Sequence, residues 1–431
     1  MRATPLRPGT LHRSTEFTSP LTVPGGEVAG TEIVRELPPE LALTVWQVLR
    51  TVLLWAAELP AQRGDLFERR AMEQWERELL EGTFDPDVRC PLAVIVGEMA
   101  ALEEASPEQM AHACLCVTEW GLAHNATRTA LAFTEAAALC RPDHPRYAWM
   151  AGRLLRSHGY LREAEQWIKR SVRIASSRGD WEAQALGLNS LGNVFYEQGN
   201  YPVSLRTLRE GLRVARKHRL TQREGEILHD LFVVATWSGE LDRAEQYARD
   251  AFDIYRTGHH RLAALAHDVA VLWMMRGHFS RALFVLQELP PYIHAPEERT
   301  RVYAVLARAA GACGQERLFT RAWEEAWSFF EDATAEKRAA PDLVELGLGA
   351  SSLRKWEMAE SALQRAIRIA SVTGEADVRM RAETALQAVT GRRVAENERS
   401  QADARQVPAA DQLASGFLVS LQQSGFNAVA A

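Results

Sequence analysis

Several signatures of chemistry are missing from these 431 residues. There is no GxxxxGK(S/T) or GxGxxG loop to cradle a phosphate. There is no GxSxG elbow to present a serine nucleophile, and no HExxH spacing to seat zinc on a helix. The five cysteines, Cys90, Cys114, Cys116, Cys140 and Cys313, include no CxxC pair. An odd count with irregular spacing points to reduced, buried thiols rather than a disulfide framework. Cys114 and Cys116, two apart on a helix, face different directions. Excess positive charge is missing too: the formal net charge is −6, which makes no electrostatic case for nucleic acid. Long apolar runs are scarce. The greasiest stretch, Val45 to Ala57, is interrupted by Gln47 and Arg50 and falls short of the roughly 18 continuous apolar residues of a membrane span. Near the start, Pro5, Pro8, Gly9 and Glu16 break up any apolar segment, so no secretory leader is expected. By elimination the expectation is a cytoplasmic, bacterial-type protein with no catalytic residue, no cofactor and no metal.

What the chain does have is an internal beat. Turns end at Tyr160, Asn200, Glu240, His278, Gln315 and Lys355, at successive spacings of 40, 40, 38, 37 and 40 residues. Such periods belong to stacked helical arrays. The clearest unit runs Leu191-Gly192-Asn193-Val194-Phe195-Tyr196-Glu197-Gln198-Gly199-Asn200-Tyr201, followed by Ser204, Leu208 and Gly211. Gly192 lets two helices approach closely, Phe195 fills the space one turn later, and Gly199 supplies the backbone freedom of a tight turn. Ser204, Leu208 and Gly211 make the inner stripe of the second helix. Other units repeat the scheme around Gly152 and Gly159, Ala235 and Gly239, Ala270 and Gly277, Ala307 and Gly314, and Gly347, with a weaker first unit at residues 108–140. Glu316 and Lys355 depart from the pattern and mark where a partner contact is expected.

Four segments follow. Residues 1–37 read as an irregular or disordered arm with a short extended piece near Thr31 to Val34. Residues 38–106 read as a helical cap, with Leu41, Val45, Val48, Leu49, Val52 and Leu53 on one helix face and further helices over Asp65–Leu80 and Pro91–Leu102. Residues 107–390 carry the array. Residues 391–431 read as a polar tether ending in a short apolar segment, Leu413, Phe417, Leu418, Leu421 and Phe426. That segment either docks on its own array or anchors to a partner.

On these residues, and above all on Leu191 to Tyr201, the chain resembles the tetratricopeptide repeat family, over about two-thirds of its length and in a form with units near 40 residues. The resemblance implies an all-α fold: a right-handed α-solenoid of antiparallel helix pairs with an N-terminal helical cap. It also implies that the first helix of each unit lines a concave groove. Carried across by position, the groove residues are Trp149, Arg153, Arg156, Asn189, Asn193, Tyr196, His229, Val233, Trp237, His267, Met274 and Arg308. Asn189 and Asn193 offer donors and acceptors to an extended backbone, though Asn beside Leu-Gly also follows the fold's own pattern. Trp149, Trp237 and Met274 offer aromatic and adaptable apolar contact area, and Trp149 and Trp237 equally suit packing against a neighbouring helix. Arg153 and Arg156 suit a carboxylate or simply water. The Gly258-His259-His260-Arg261 and His267-Asp268 cluster lacks metal spacing and reads as surface or groove histidines. They could make binding pH-sensitive.

The function implied is a non-enzymatic scaffold or adaptor binding a protein or peptide ligand in the groove. The alternative is a signal- or peptide-responsive regulatory subunit acting on a partner effector enzyme, similar to the peptide-pheromone receptors of bacteria. Residues 1–105 contain no compact basic recognition helix, so direct nucleic-acid binding is not expected.

Overall fold

The computed structural model describes residues 32–256, 258–330, 339–394 and 408–429. Most of the expected N-terminal arm and of the polar tether lies outside these. The described residues are helices joined by turns, with no strand among them. The protein is an all-α helical-repeat fold. It divides into two compact units, residues 1–214 and 215–431, described separately below.

In the first unit, α1 (Ile33–Glu36), α2 (Pro39–Ala57), α3 (Arg63–Leu66), α4 (Arg69–Glu81) and α5 (Pro86–Ala100) precede the helix pairs. The pairs are α6 (Pro107–Ala123) with α7 (Thr127–Cys140), and α8 (Pro145–Ser157) with α9 (Leu161–Arg178). They continue with α10 (Trp181–Glu197) and α11 (Tyr201–Lys217). Ile33 to Glu36 form a helical turn where an extended piece was expected. The cause is a distant partner: the Glu36 carboxylate accepts from the Arg128 and Thr129 backbone N–H groups at 2.8 and 2.9 Å, and from the Thr129 hydroxyl at 3.0 Å. Glu36 thus caps the N-terminus of α7, where free N–H groups and the helix dipole favour an anion. Helix α2 has the length and apolarity to cross a membrane, which the sequence reading did not anticipate. Its apolar stripe, Val45, Val48, Leu49, Val52 and Trp55, is buried in the core of the unit.

The second unit holds α12 (Thr221–Trp237) with α13 (Leu241–Tyr255), α14 (Leu262–Met275) with α15 (Phe279–Leu286), and α16 (Pro296–Ala312) with α17 (Glu316–Phe329). After these come α18 (Ala340–Ser352) with α19 (Trp356–Thr373), then α20 (Ala376–Thr390) and α21 (Pro408–Val429). Helix α21 packs back on α14 and α15. Of the two fates expected for the apolar tail, the structure shows docking within the chain.

Each beat residue begins a second helix. Tyr160, Glu240, His278, Gln315 and Lys355 are N-caps, and the Asn200 side chain accepts from the Val203 N–H at 3.4 Å. The residue before each beat has a left-handed backbone: Gly159, Gly199, Gly239, Gly277 and Gly314 have φ between +71° and +83°, and Arg354 has +57°. This geometry turns the following N–H back onto the first helix, as in Asn200 N–H to the Phe195 carbonyl at 2.8 Å and Lys355 N–H to the Ala350 carbonyl at 2.9 Å. Glu316 and Lys355, the two irregular beats, pair with each other: Lys355 Nζ lies 2.5 Å from Glu316 Oε1. Their irregularity is an internal match one repeat apart.

Glycine also sets helix separation. A Cβ on Gly192 would lie 2.5 Å from Leu208 Cγ, and one on Gly152 would lie 2.4 Å from Ile168 Cγ1. Between successive first helices the approach is backbone to backbone. A Cβ on Gly349 of α18 would stand 2.8 Å from the Ala307 carbonyl oxygen of α16. Gly349→Ala is therefore expected to destabilise the protein by about 3 kcal/mol or more, since no side chain can swing aside. Arg354→Gly should act in the opposite sense, by about 1 kcal/mol, because it relieves a left-handed non-glycine residue. Urea midpoints of the two variants check both; equal midpoints for Gly349→Ala and the parent would refute the close-packing account.

Candidate binding face

The residues assigned to the groove fall on first helices, and four of them, Trp149, Arg156, His229 and Arg308, are engaged with the neighbouring first helix. In the first unit, Trp149 on α8 donates its indole N–H to Ser190 Oγ on α10 at 2.8 Å. The Arg153 guanidinium lies over the Trp149 ring, 5.1 Å from its centre. Arg156 meets Glu197 of α10 at 2.7 Å, and the Tyr196 ring lies 5.8 Å from that of Tyr201. These contacts gather Trp149, Arg153, Arg156 and the α10 residues into one patch. Asn189 is 7 % exposed, and its side-chain oxygen has no hydrogen-bond partner within the protein. Asn193, one turn further along α10, is half-buried. An unsatisfied buried amide costs about 1–3 kcal/mol, so its presence needs a reason.

In the second unit the carboxylate of Asp268 on α14 joins two imidazoles. His229 Nε2 of α12 stands 3.0 Å from one oxygen, and His267 Nδ1 stands 3.0 Å from the other. His229 is fully buried. Burial pushes the Asp268 carboxyl up, but the hydrogen bonds from His229 and His267 outweigh it and hold it far below the usual carboxylate range. The nitrogens turned away from Asp268, His229 Nδ1 and His267 Nε2, are buried and have no hydrogen-bond partner within the protein.

Further along, Arg308 of α16 pairs with Glu345 of α18 at 2.7 Å, and Arg381 of α20 reaches the same carboxyl at 2.8 Å. Burial raises the Glu345 carboxyl; Arg308 and Arg381 bring it below its ordinary value. Val233 is half-buried. Trp237 is 49 % exposed, whereas Met274 is 3 % exposed and packs in the core. Met274, expected to supply adaptable contact area, is buried in this structure.

Asp268, Glu345, Arg381, Ser190 and Glu197 escaped the sequence reading as site residues. A signal for them exists: Trp149 and Ser190, Arg156 and Glu197, His229 and Asp268, Arg308 and Glu345 stand 41, 41, 39 and 37 residues apart. Complementary polar side chains one repeat apart on the same helix face are the pattern to look for.

The other histidine cluster is less open to a ligand. Glu226, His259 and His260 place one potential ligand atom each within 4.8 Å of one another. Glu226 is already paired with Arg223 at 2.5 Å, and His259 Nδ1 accepts the Arg261 backbone N–H at 3.1 Å. That acceptor role puts the remaining proton of a neutral His259 on Nε2, where it blocks metal ligation. His259 also stacks on Tyr255, with ring centres 4.0 Å apart, and burial with the neighbouring His260 lowers its pKa to about 4.

No family model matches the chain, and no curated protein matches it. Among solved structures it is similar to BtubC (BKLC) from P. vanneervenii, at 15% identity over 62% of this chain and 92% of that one, TM-score 0.32. It is similar to the Rap conjugation gene regulator of plasmid pLS20 in complex with the Phr* peptide, at 10% identity over 88% and 96%, TM-score 0.40. A Rap protein complexed with competence and sporulation factor shares 9% identity over 82% and 98%, TM-score 0.36.

Asp342, at the start of α18, gives the second unit a testable pH response. Burial pushes its carboxyl up to about 6, against the opposing charges of Arg301 and His267. A folded pKa above the unfolded value near 3.9 means that folding favours the protonated acid. Its contribution is therefore fully present below about pH 4 and lost as pH rises through about 6. Asp268 acts oppositely, losing its contribution as pH falls below the ordinary carboxylate range. Asp342→Asn should raise stability at pH 7.5 by about 1–3 kcal/mol and have little effect at pH 4. Denaturation at the two pH values measures this; an equal change at both would refute the assignment.

Proposed function

We propose that the protein is a tetratricopeptide-type interaction scaffold whose first-helix faces bind an extended segment of a partner protein or peptide. The observation that carries this reading is Asn189: its amide oxygen is buried and has no partner within the protein, on the helix that also bears half-buried Asn193. Side-chain amides pair naturally with the N–H and C=O of an extended backbone. Trp149 stands beside them with its N–H already held by Ser190, so the ring is fixed before a ligand arrives and little side-chain freedom is lost on binding. Arg153 adds a cation over that ring, which suits an acidic or carboxylate-bearing segment. A reducing, cytosolic setting fits the thiols. Burial is the main cause that pushes the Cys114 thiol well above its ordinary value, and Cys114 lies within hydrogen-bonding reach of Cys140 while both stay unpaired.

The regulatory form of this reading, in which ligand binding controls an effector protein, is favoured by the bridge from His229 through Asp268 to His267. Two adjacent first helices share one carboxylate there, so a ligand that shifts either helix would be felt by the other. No role in binding nucleic acid or a membrane is proposed.

The test compares partner capture and thermal stability in the same variants. Asn189→Ala/Asn193→Ala should lower affinity for the captured partner at least tenfold. Asn189→Ala alone should not lower the melting temperature, because the amide it removes satisfies no internal bond and its burial carries a cost. A partner retained equally by the parent and the double variant would reject the groove model.

A further inference from the structure

Asp342, in the first turn of α18, is a buried acid without a donor. It is 8 % exposed. An acid so placed ordinarily turns back onto the free N–H groups of its own helix. Asp342 does not, and no hydrogen bond reaches it among the described residues. Arg301 of α16 stands with Nε 3.9 Å from its carboxyl, beyond hydrogen-bonding distance, and the Arg301 side chain is 56 % exposed. A pair so loose and so wet contributes little.

Other acids on the first helices of this unit are held differently. Glu226 accepts from Arg223, Asp230 from Arg261, and Glu345 from both Arg308 and Arg381. Asp268 joins two imidazoles. A carboxyl buried without such a donor is costly, and its presence needs a reason.

A second buried atom in the same neighbourhood also lacks a partner. His267 of α14 lies close enough for its charge to act on Asp342. Its Nδ1 faces Asp268, whose carboxyl is held ionised, so the imidazole proton sits on that side. In the neutral ring Nε2 therefore carries a lone pair, and it is buried with no partner within the protein. Asp342 and His267 Nε2 are both acceptors.

We infer that Asp342 and His267 form a subsite for a primary ammonium group of a ligand on the first-helix face of the second unit. An ammonium suits it because three N–H donors diverge from one compact charge and can meet acceptors on two helices. A guanidinium presents its paired donors along one edge, and Arg301 is at hand yet makes no such bond. The Asp342 side chain keeps 12 % of its surface open, which is where an incoming cation meets the site. A bound ammonium satisfies the carboxyl with a charge-assisted hydrogen bond that the protein itself does not supply. The subsite lies on α14 and α18, apart from Asn189 on α10, and neither site depends on the other.

The experiment melts the full chain at pH 7.5 in methylammonium chloride and, at equal concentration, in tetramethylammonium chloride. The second salt has the charge without an N–H donor. At ten times its dissociation constant, methylammonium should raise the melting temperature about 3 °C above the tetramethylammonium value. Asp342→Asn keeps the shape of the side chain, removes a buried charge and should abolish the difference. Arg301→Gln should enlarge it by removing the competing cation. His267→Gln, which keeps an acceptor, should retain more of it than His267→Leu. The peptide acetyl-Ala-Lys-Ala-amide then separates the two sources of an ammonium. Binding at least tenfold tighter than methylammonium assigns the subsite to a peptide side chain, and equal binding assigns it to a free amine. No difference between the salts in the parent, or the same difference in Asp342→Asn, overturns the inference.

Discussion

No helix pair in this protein can bury both of its apolar faces alone. A pair joined by a tight turn covers one side of each helix and leaves a second side for the next pair, so each repeat depends on its neighbour. The consequences appear at several scales. Successive first helices need small residues, to the point that Gly311 and Gly349 meet backbone to backbone. Where α15 is short, the cover comes from α21, more than a hundred residues later in the chain. At the start, α1 to α5 supply a dense apolar cluster, and Glu36 satisfies the first N–H groups of α7.

The same dependence explains why the first-helix face is so polar inside. Where side chains of one first helix meet those of the next within a unit, charged or amide groups must be paired or become costly. Trp149 with Ser190, His229 with Asp268, and Arg308 with Glu345 are such pairs. They hold the face in a defined arrangement before anything binds. Asn189 Oδ1, His229 Nδ1 and His267 Nε2 are buried on these helices without such a partner within the protein.

Much of the architecture was legible in the sequence because it is local. A left-handed turn needs glycine, or a residue that tolerates the strain, at a fixed offset from the end of a helix. Gly159, Gly199, Gly239, Gly277 and Gly314 announce it one after another. Gly192 likewise declared a close approach, which Leu208 makes. The candidate face was legible only in outline. Placing residues on first helices required the period alone, but whether Arg308 faces a ligand or Glu345 depends on what stands one repeat away. Met274 shows the limit: helical position does not distinguish a groove residue from one turned into the core. The helical turn at Ile33 to Glu36 shows it again, since its cause is the start of α7, nearly a hundred residues on.

By itself, then, the sequence determined the helices, the turns between them and the stacking period, because these follow from backbone preferences and side-chain spacing within some twenty residues. Only the tertiary structure decided the pairing of Glu316 with Lys355, the bridging of two histidines by Asp268, and the return of α21 to the short second helix α15. Each joins groups far apart in the chain, and their energies depend on burial and distance, which exist only once the repeats have stacked.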